Sequence, residues 1–206
     1  MPTADTQSEA FVRAVRLFRE HGGIMRTGEA LEAGVHPRTL YAMRDSGVLQ
    51  RLSRGVYRLA DLEPLSHPDL VTVAMRVPEG VVCLLSALEF HDLTLQVPHV
   101  VHLAIERGSH PPRIEHPPVG LFWFSGGAFS EGIETHELDT VPVRIYSPEK
   151  TLADCFKYRN KLGLDTAIEA LRLYRERREV RVDELLRFAR VCRVSSVMRP
   201  YLEAIV

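Results

Sequence analysis

Three observations predict an α+β chain built in two parts. Residues 23–59 carry helix, tight-turn, helix and hairpin signals in that order. Formal charge is divided along the 206 residues, with a basic head, an acidic middle and a basic tail that together leave a net charge of −1. Beyond about residue 60, short apolar strands are flanked by helical runs. The first part therefore reads as a winged helix-turn-helix. The second reads as a mixed α/β C-terminal domain ending in helices.

In the first part, Ser8 is placed to cap a helix reaching Glu20, with Phe11, Val15 and Phe18 on one face and Met1–Gln7 as a loose end. His21, Gly22 and Gly23 break it, and residues 23–26 suit a short strand paired with a wing. The next helix is expected to start at Thr27, whose hydroxyl can accept from the unpaired first-turn amides, and to stop at Gly34, a residue that adopts a left-handed C′ at little cost. Val35 and His36 make a short connection. Pro37 fits the first position of the following helix, which runs to Ser46 and ends at Gly47.

On that helix a 100° step per residue puts Leu40 and Met43 on one face and Arg38, Ala42 and Asp45 on the opposite one, flanked by Thr39 and Tyr41. Such an outer stripe suits major-groove reading, because Arg can take guanine edges and Ala or Thr can approach a thymine methyl. Arg44 lies nearer the packed side and suits a phosphate. The hairpin follows, with 49–52 and 56–59 as strands and Ser53, Arg54 and Gly55 as the turn, and Arg51, Arg54 and Arg58 make it basic. The candidate DNA-binding residues are thus Arg38, Thr39, Tyr41, Ala42, Arg44, Asp45, Arg51 and Arg54.

Residues 1–60 are read as the winged DNA-binding domain, 61–68 as an acid- and proline-rich linker, and 69–206 as an α+β partner-binding domain. In the last, helices are expected from Pro68, Ser86, Pro148, Leu164, Val182 and Ser195, and strands at 97–105, 121–124, 133–138 and 141–146. Cys83, Cys155 and Cys192 are widely spaced without a CxxC pair, so buried reduced thiols are expected rather than a disulfide framework or a zinc site. No signal peptide is legible and no apolar run approaches the ~20 residues of a membrane span. A cytoplasmic protein without membrane association is the expectation.

The histidines do not suggest a metal site. His99 and His102 are an odd number apart on the expected strand, and no HExxH or HxH pattern occurs. Glu149, Lys150 and Asp154 share a helix start and could serve a Mg²⁺-dependent nuclease. The simpler reading has Glu149 favoured by the helix dipole and Lys150 pairing with Asp154 on the surface. No catalytic residue, metal or cofactor is expected, and the chain is read as no enzyme. The arginines at 172, 175, 177, 178, 181, 187, 190 and 193 form a second basic surface, diluted by acids.

Two runs resemble the AbiEi-type antitoxins of bacterial type IV toxin–antitoxin and abortive-infection systems. The first is GGIMRTGEALEAGVHPRTLYAMRDSGVLQRLSRGVYRLAD, matching at Gly34, Pro37, Leu40, Gly47, Leu49, Arg54, Gly55 and Tyr57. The second is SPEKTLADCFKYRNKLGLDTAIEAL, matching at Ser147, Glu149, Lys150, Thr151, Asp154 and Gly163. The resemblance implies a transcriptional repressor that binds inverted repeats in its own promoter through the winged domain. It also implies a C-terminal domain that counters a nucleotidyltransferase toxin, and Glu149, Lys150, Thr151 and Asp154 are the candidate partner-binding residues there. Two alternatives are a stand-alone regulator or protein-interaction module without a toxin, and the nuclease.

Overall fold

A computed structural model describes residues 4–205. They divide into two compact units. The first takes the chain up to Pro78 together with Arg113–Pro117 and Glu137–Pro142; the second takes Glu79–Pro112, Pro118–His136 and the chain from Val143 onward.

The first unit opens with helix α1 (Ala4–Glu20). Residues 4–7 are therefore helical rather than loose and the helix starts before Ser8, while positions 1–3 of the expected loose end lie outside the described residues. Strand β1 (Ile24–Arg26), helix α2 (Thr27–Glu32), helix α3 (Pro37–Asp45) and strands β2 (Leu49–Ser53) and β3 (Val56–Leu59) follow, and helix α4 (Pro68–Arg76) closes the run. The three strands form an antiparallel sheet in the order β1-β3-β2, so the short strand before the helix pair does join the wing. Ala14, Phe18, Met25, Ala30, Leu40, Met43, Tyr57 and Leu59 fill the core of this unit. Each large apolar side chain buried there contributes about 1.5–3 kcal/mol.

The segment expected as a linker is fastened. Arg19 pairs with Asp61, a guanidinium nitrogen of Arg58 donates to the Glu63 carbonyl, and Ser66 donates from its amide and its hydroxyl to Asp139 at 3.0 and 2.9 Å.

The second unit is built on a five-stranded sheet, of which the strand ends at 137–138 and 141–142 count with the first unit. Its strands are β4 (Val81–Val82), β5 (Val101–Glu106), β6 (Val119–Phe124), β7 (Ile133–Leu138) and β8 (Val141–Tyr146), in the order β6-β5-β4-β8-β7. Strand β5 runs parallel to β6 and antiparallel to β4, and β4 runs parallel to β8. Asp139 and Thr140 link β7 to β8 with φ of +49° and +70°, the signs a two-residue type I′ turn needs. The helices are α5 (Leu84–Phe90), α6 (Gly127–Ser130), α7 (Pro148–Lys157), α8 (Arg159–Leu162), α9 (Leu164–Arg175), α10 (Val182–Val191) and α11 (Ser195–Ile205).

Strand β5 begins at Val101, so His99 lies outside it and His102 alone sits on the strand, edge-on to Phe122. Helix α7 is central. Leu152, Ala153, Cys155 and Phe156 join Leu171, Tyr174, Leu185 and Phe188 of α9 and α10 in one core, which leaves α7 almost wholly enclosed.

Candidate nucleic-acid interface

The helix pair is set by its caps. Arg26, not Thr27, is the N-cap of α2: its amide donates to Glu29 Oε2 at 2.7 Å and its Nε to Glu29 Oε1 at 2.8 Å. Thr27 is engaged elsewhere, since its amide and hydroxyl both donate to the Gly55 carbonyl, at 2.9 and 3.4 Å. At the far end Val35 N donates to Ala30 O at 2.8 Å and Gly34 N to Leu31 O at 3.0 Å, a Schellman closure that turns the chain sharply. Pro37 opens α3, and His36 Nδ1 accepts from Arg38 N at 3.2 Å. This fixes where α3 starts.

Leu40 and Met43 are fully buried, which orients α3. Arg38 and Asp45 are then exposed, Tyr41 is 43% exposed, and Thr39 and Ala42 are half-buried beside them. Arg44 stacks over Tyr41 at 5.2 Å and binds Asp45 Oδ1 through Nε at 2.8 Å and Nη2 at 2.6 Å. The stripe therefore presents Arg38 exposed and Tyr41 partly exposed under the Arg44 guanidinium, while the carboxylate of Asp45 is held by the same arginine. That hydrogen bond also pushes the Arg44 guanidinium above its ordinary value.

The wing turn is tighter than expected, with Ser53 in β2 and Arg54 and Gly55 alone at the tip. The register slips between Arg51 and Ser53, and Ser53 Oγ donates to His116 O at 2.9 Å. Arg76 braces the tip, its Nη1 donating to Arg54 O at 2.7 Å and its Nη2 to Arg113 O at 3.0 Å. Sequence reasoning missed Arg76, and no local motif signals it. Arg51 and Arg54 are exposed, and neither is paired with a carboxylate among the described residues. Arg58 is different: it is 5% exposed and turned inward, so it adds no charge to the wing surface. All four residues of β3 are buried, because the central strand of this sheet is covered on both faces.

Glu149, Lys150, Thr151 and Asp154 do not form a surface. Their exposures are 2%, 0%, 0% and 0%. Lys150 Nζ donates to Asp154 Oδ2 at 2.5 Å and lies 4.1 Å from the Tyr146 ring centroid, and Cys192 Sγ donates to Asp154 Oδ1 at 3.2 Å. Glu149 accepts from the Tyr174 hydroxyl at 2.6 Å and from Arg181 Nε and Nη2, each at 3.0 Å. Burial pushes Asp154 upward against the opposing charge of Lys150, and it pushes Tyr174 up to about 12.

The expected surface pair of Lys150 and Asp154 is thus an interior pair, and these four side chains are out of reach of a partner protein. The spacing of four residues serves an exposed and an enclosed helix equally, and packing by α9 and α10 decides between them. Burial likewise leaves the carboxylates satisfied by protein donors instead of open to Mg²⁺. Among the described residues no group of three or more His, Cys, Asp or Glu is arranged to hold a metal ion. No helix among them is long and apolar enough to cross a membrane. Of the C-terminal arginines, Arg181 is bound to Glu149 and Arg187 to Glu131 and Glu184.

No curated protein matches the chain. Over residues 12–60, the span that carries α2, α3 and the wing, the chain matches the family described as transcriptional regulator, AbiEi antitoxin.

Proposed function

We propose that the chain is a DNA-binding transcriptional repressor of its own promoter and the antitoxin of a type IV toxin–antitoxin system. Its winged domain, 1–60, reads inverted repeats in double-stranded DNA, and residues 69–206 counter a nucleotidyltransferase toxin in the cytoplasm, without chemistry of their own. The observation that carries the reading is the exposed Arg38 and Tyr41 stripe of α3 beside a wing tip whose Arg54 has no carboxylate partner among the described residues. The match over residues 12–60 supports the same reading. Arg38, Thr39, Tyr41 and Ala42 read bases, with Asp45 orienting Arg44, and Arg44, Arg51 and Arg54 hold phosphates.

Fluorescence anisotropy with the chain's own upstream DNA and a scrambled duplex tests it. Arg38→Ala is expected to cost about 1–3 kcal/mol on the cognate site and to narrow the gap to scrambled DNA. Arg54→Ala is expected to weaken both duplexes alike and to lower the salt slope by about one. Parent-like binding by both variants overturns the assignment. Co-expression with a nucleotidyltransferase encoded beside the gene tests the antitoxin half, where restored growth is expected. Unrelieved toxicity leaves the stand-alone regulator.

A further inference from the structure

A cleft of about 840 Å³ opens in the second unit, walled by Ser125–Ala128, the residues at the end of α7 and the turn that joins α10 to α11. That volume is in the range of small-molecule sites. Its lining carries three cations, Lys157, Arg159 and Arg193, and one carboxylate, Glu131. Glu131 is engaged by Arg187 Nη1 at 2.5 Å. None of the three cations is paired with a carboxylate among the described residues, and Arg159 spends one donor on the Phe156 carbonyl at 2.9 Å. Like charges gathered in a concavity repel one another unless an anion answers them.

Arg193 sharpens the point. It occupies the position after the C-cap of α10, where Arg193 N donates to Arg190 O at 3.0 Å and Val194 N to Ala189 O at 2.8 Å. That closure places it at φ +59°, a conformation that glycine takes freely and an arginine does not. The fold thus sets an arginine in a backbone conformation unusual for it on a cleft wall that carries two further cations. Departures of this kind cluster where a ligand is held. Arginine donors arranged around a cavity suit phosphoryl oxygens, which they bind through paired, charge-assisted hydrogen bonds.

We propose that this cleft binds a phosphorylated small molecule of nucleotide size, its phosphates held by Lys157, Arg159 and Arg193. Isothermal titration of the full chain in the absence of DNA tests this with ATP, adenosine and inorganic phosphate. ATP is expected to bind, phosphate to compete for the same site more weakly, and adenosine to give no heat. Arg193→Gly removes the cation while suiting the backbone, so it is expected to melt no lower than the parent and to bind ATP about tenfold more weakly. Lys157→Met is expected to weaken ATP similarly. Adenosine binding as tightly as ATP, phosphate binding as tightly as ATP, or parent-like ATP affinity in Arg193→Gly overturns the proposal, as does an absence of ATP binding in the parent.

Discussion

Lys150→Met cuts the fully enclosed ion pair of α7 while keeping the length of the side chain. The variant loses the 2.5 Å bond to Asp154 and the approach of the ammonium to the Tyr146 and Phe124 rings at 4.1 and 4.9 Å. It leaves Asp154 enclosed with, among the described residues, only the Cys192 thiol donating to it. Breaking one side of such a pair costs about 3–5 kcal/mol, because the remaining charge has lost its solvent and its partner together. With a urea dependence of about 2 kcal/mol per molar, the midpoint falls by roughly 2 M. Trp123 is the single tryptophan of the chain and lies in the second unit, so its emission follows the relevant transition.

The pH dependence separates a lost charge partner from lost packing. Burial raises Asp154, and removal of Lys150 raises it further, so the folded variant retains a proton that the unfolded chain releases. Stability linked to that proton is complete below the unfolded value and is lost as pH rises through the folded one. The deficit of Lys150→Met is therefore expected to be larger at about pH 8 than at about pH 5. Adding Asp154→Leu should recover most of the loss, since an enclosed pair replaced by apolar groups is close to neutral. A loss under about 1 kcal/mol, a loss independent of pH, or a double variant as weak as the sum of the singles would refute the reasoning.

Two further predictions concern glycine backbone strain and the buried thiols. Gly132 has φ +75°, and a Cβ there would lie 2.7 Å from Lys150 Cβ and 2.8 Å from Phe188 Cζ, so Gly132→Ala is expected to cost about 2–5 kcal/mol in urea unfolding. Gly47→Ala, at φ +79° with nothing within 4 Å of the added carbon, should cost only about 1 kcal/mol, and equal losses at the two sites would contradict this account. Cys83, Cys155 and Cys192 are buried, and burial pushes the first two well up and Cys192 to about 12. A disulfide reagent at about pH 8 is thus expected to titrate no thiol in the native chain and all three after denaturation.

The helix pair and wing were legible because their signals are local. Pro37 at a helix start, Gly34 and Gly47 at helix ends and a glycine in the hairpin tip each act within a few residues, and each sits where it was expected. The same holds for β7 and β8, divided by Asp139 and Thr140. What could not be read was the destination of side chains that reach across the fold. Thr27 has the chemistry of a cap, yet the wing carbonyl of Gly55 takes its hydroxyl. Arg58 has the composition of a DNA contact but points from a strand covered on both faces. The cleft draws its cations and walls from residues near 125, 158 and 193, which no short motif spans.

The braced wing tip alters how association is paid for. Fixing the backbone of one residue costs about 1–2 kcal/mol of conformational entropy, and a free hairpin tip would lose that on meeting DNA. Here the carbonyls of Arg54 and Gly55 are already tied to Arg76 and Thr27, so folding has met the cost beforehand. In the proposed DNA complex, a hairpin of identical charge without those two ties would bind roughly tenfold more weakly.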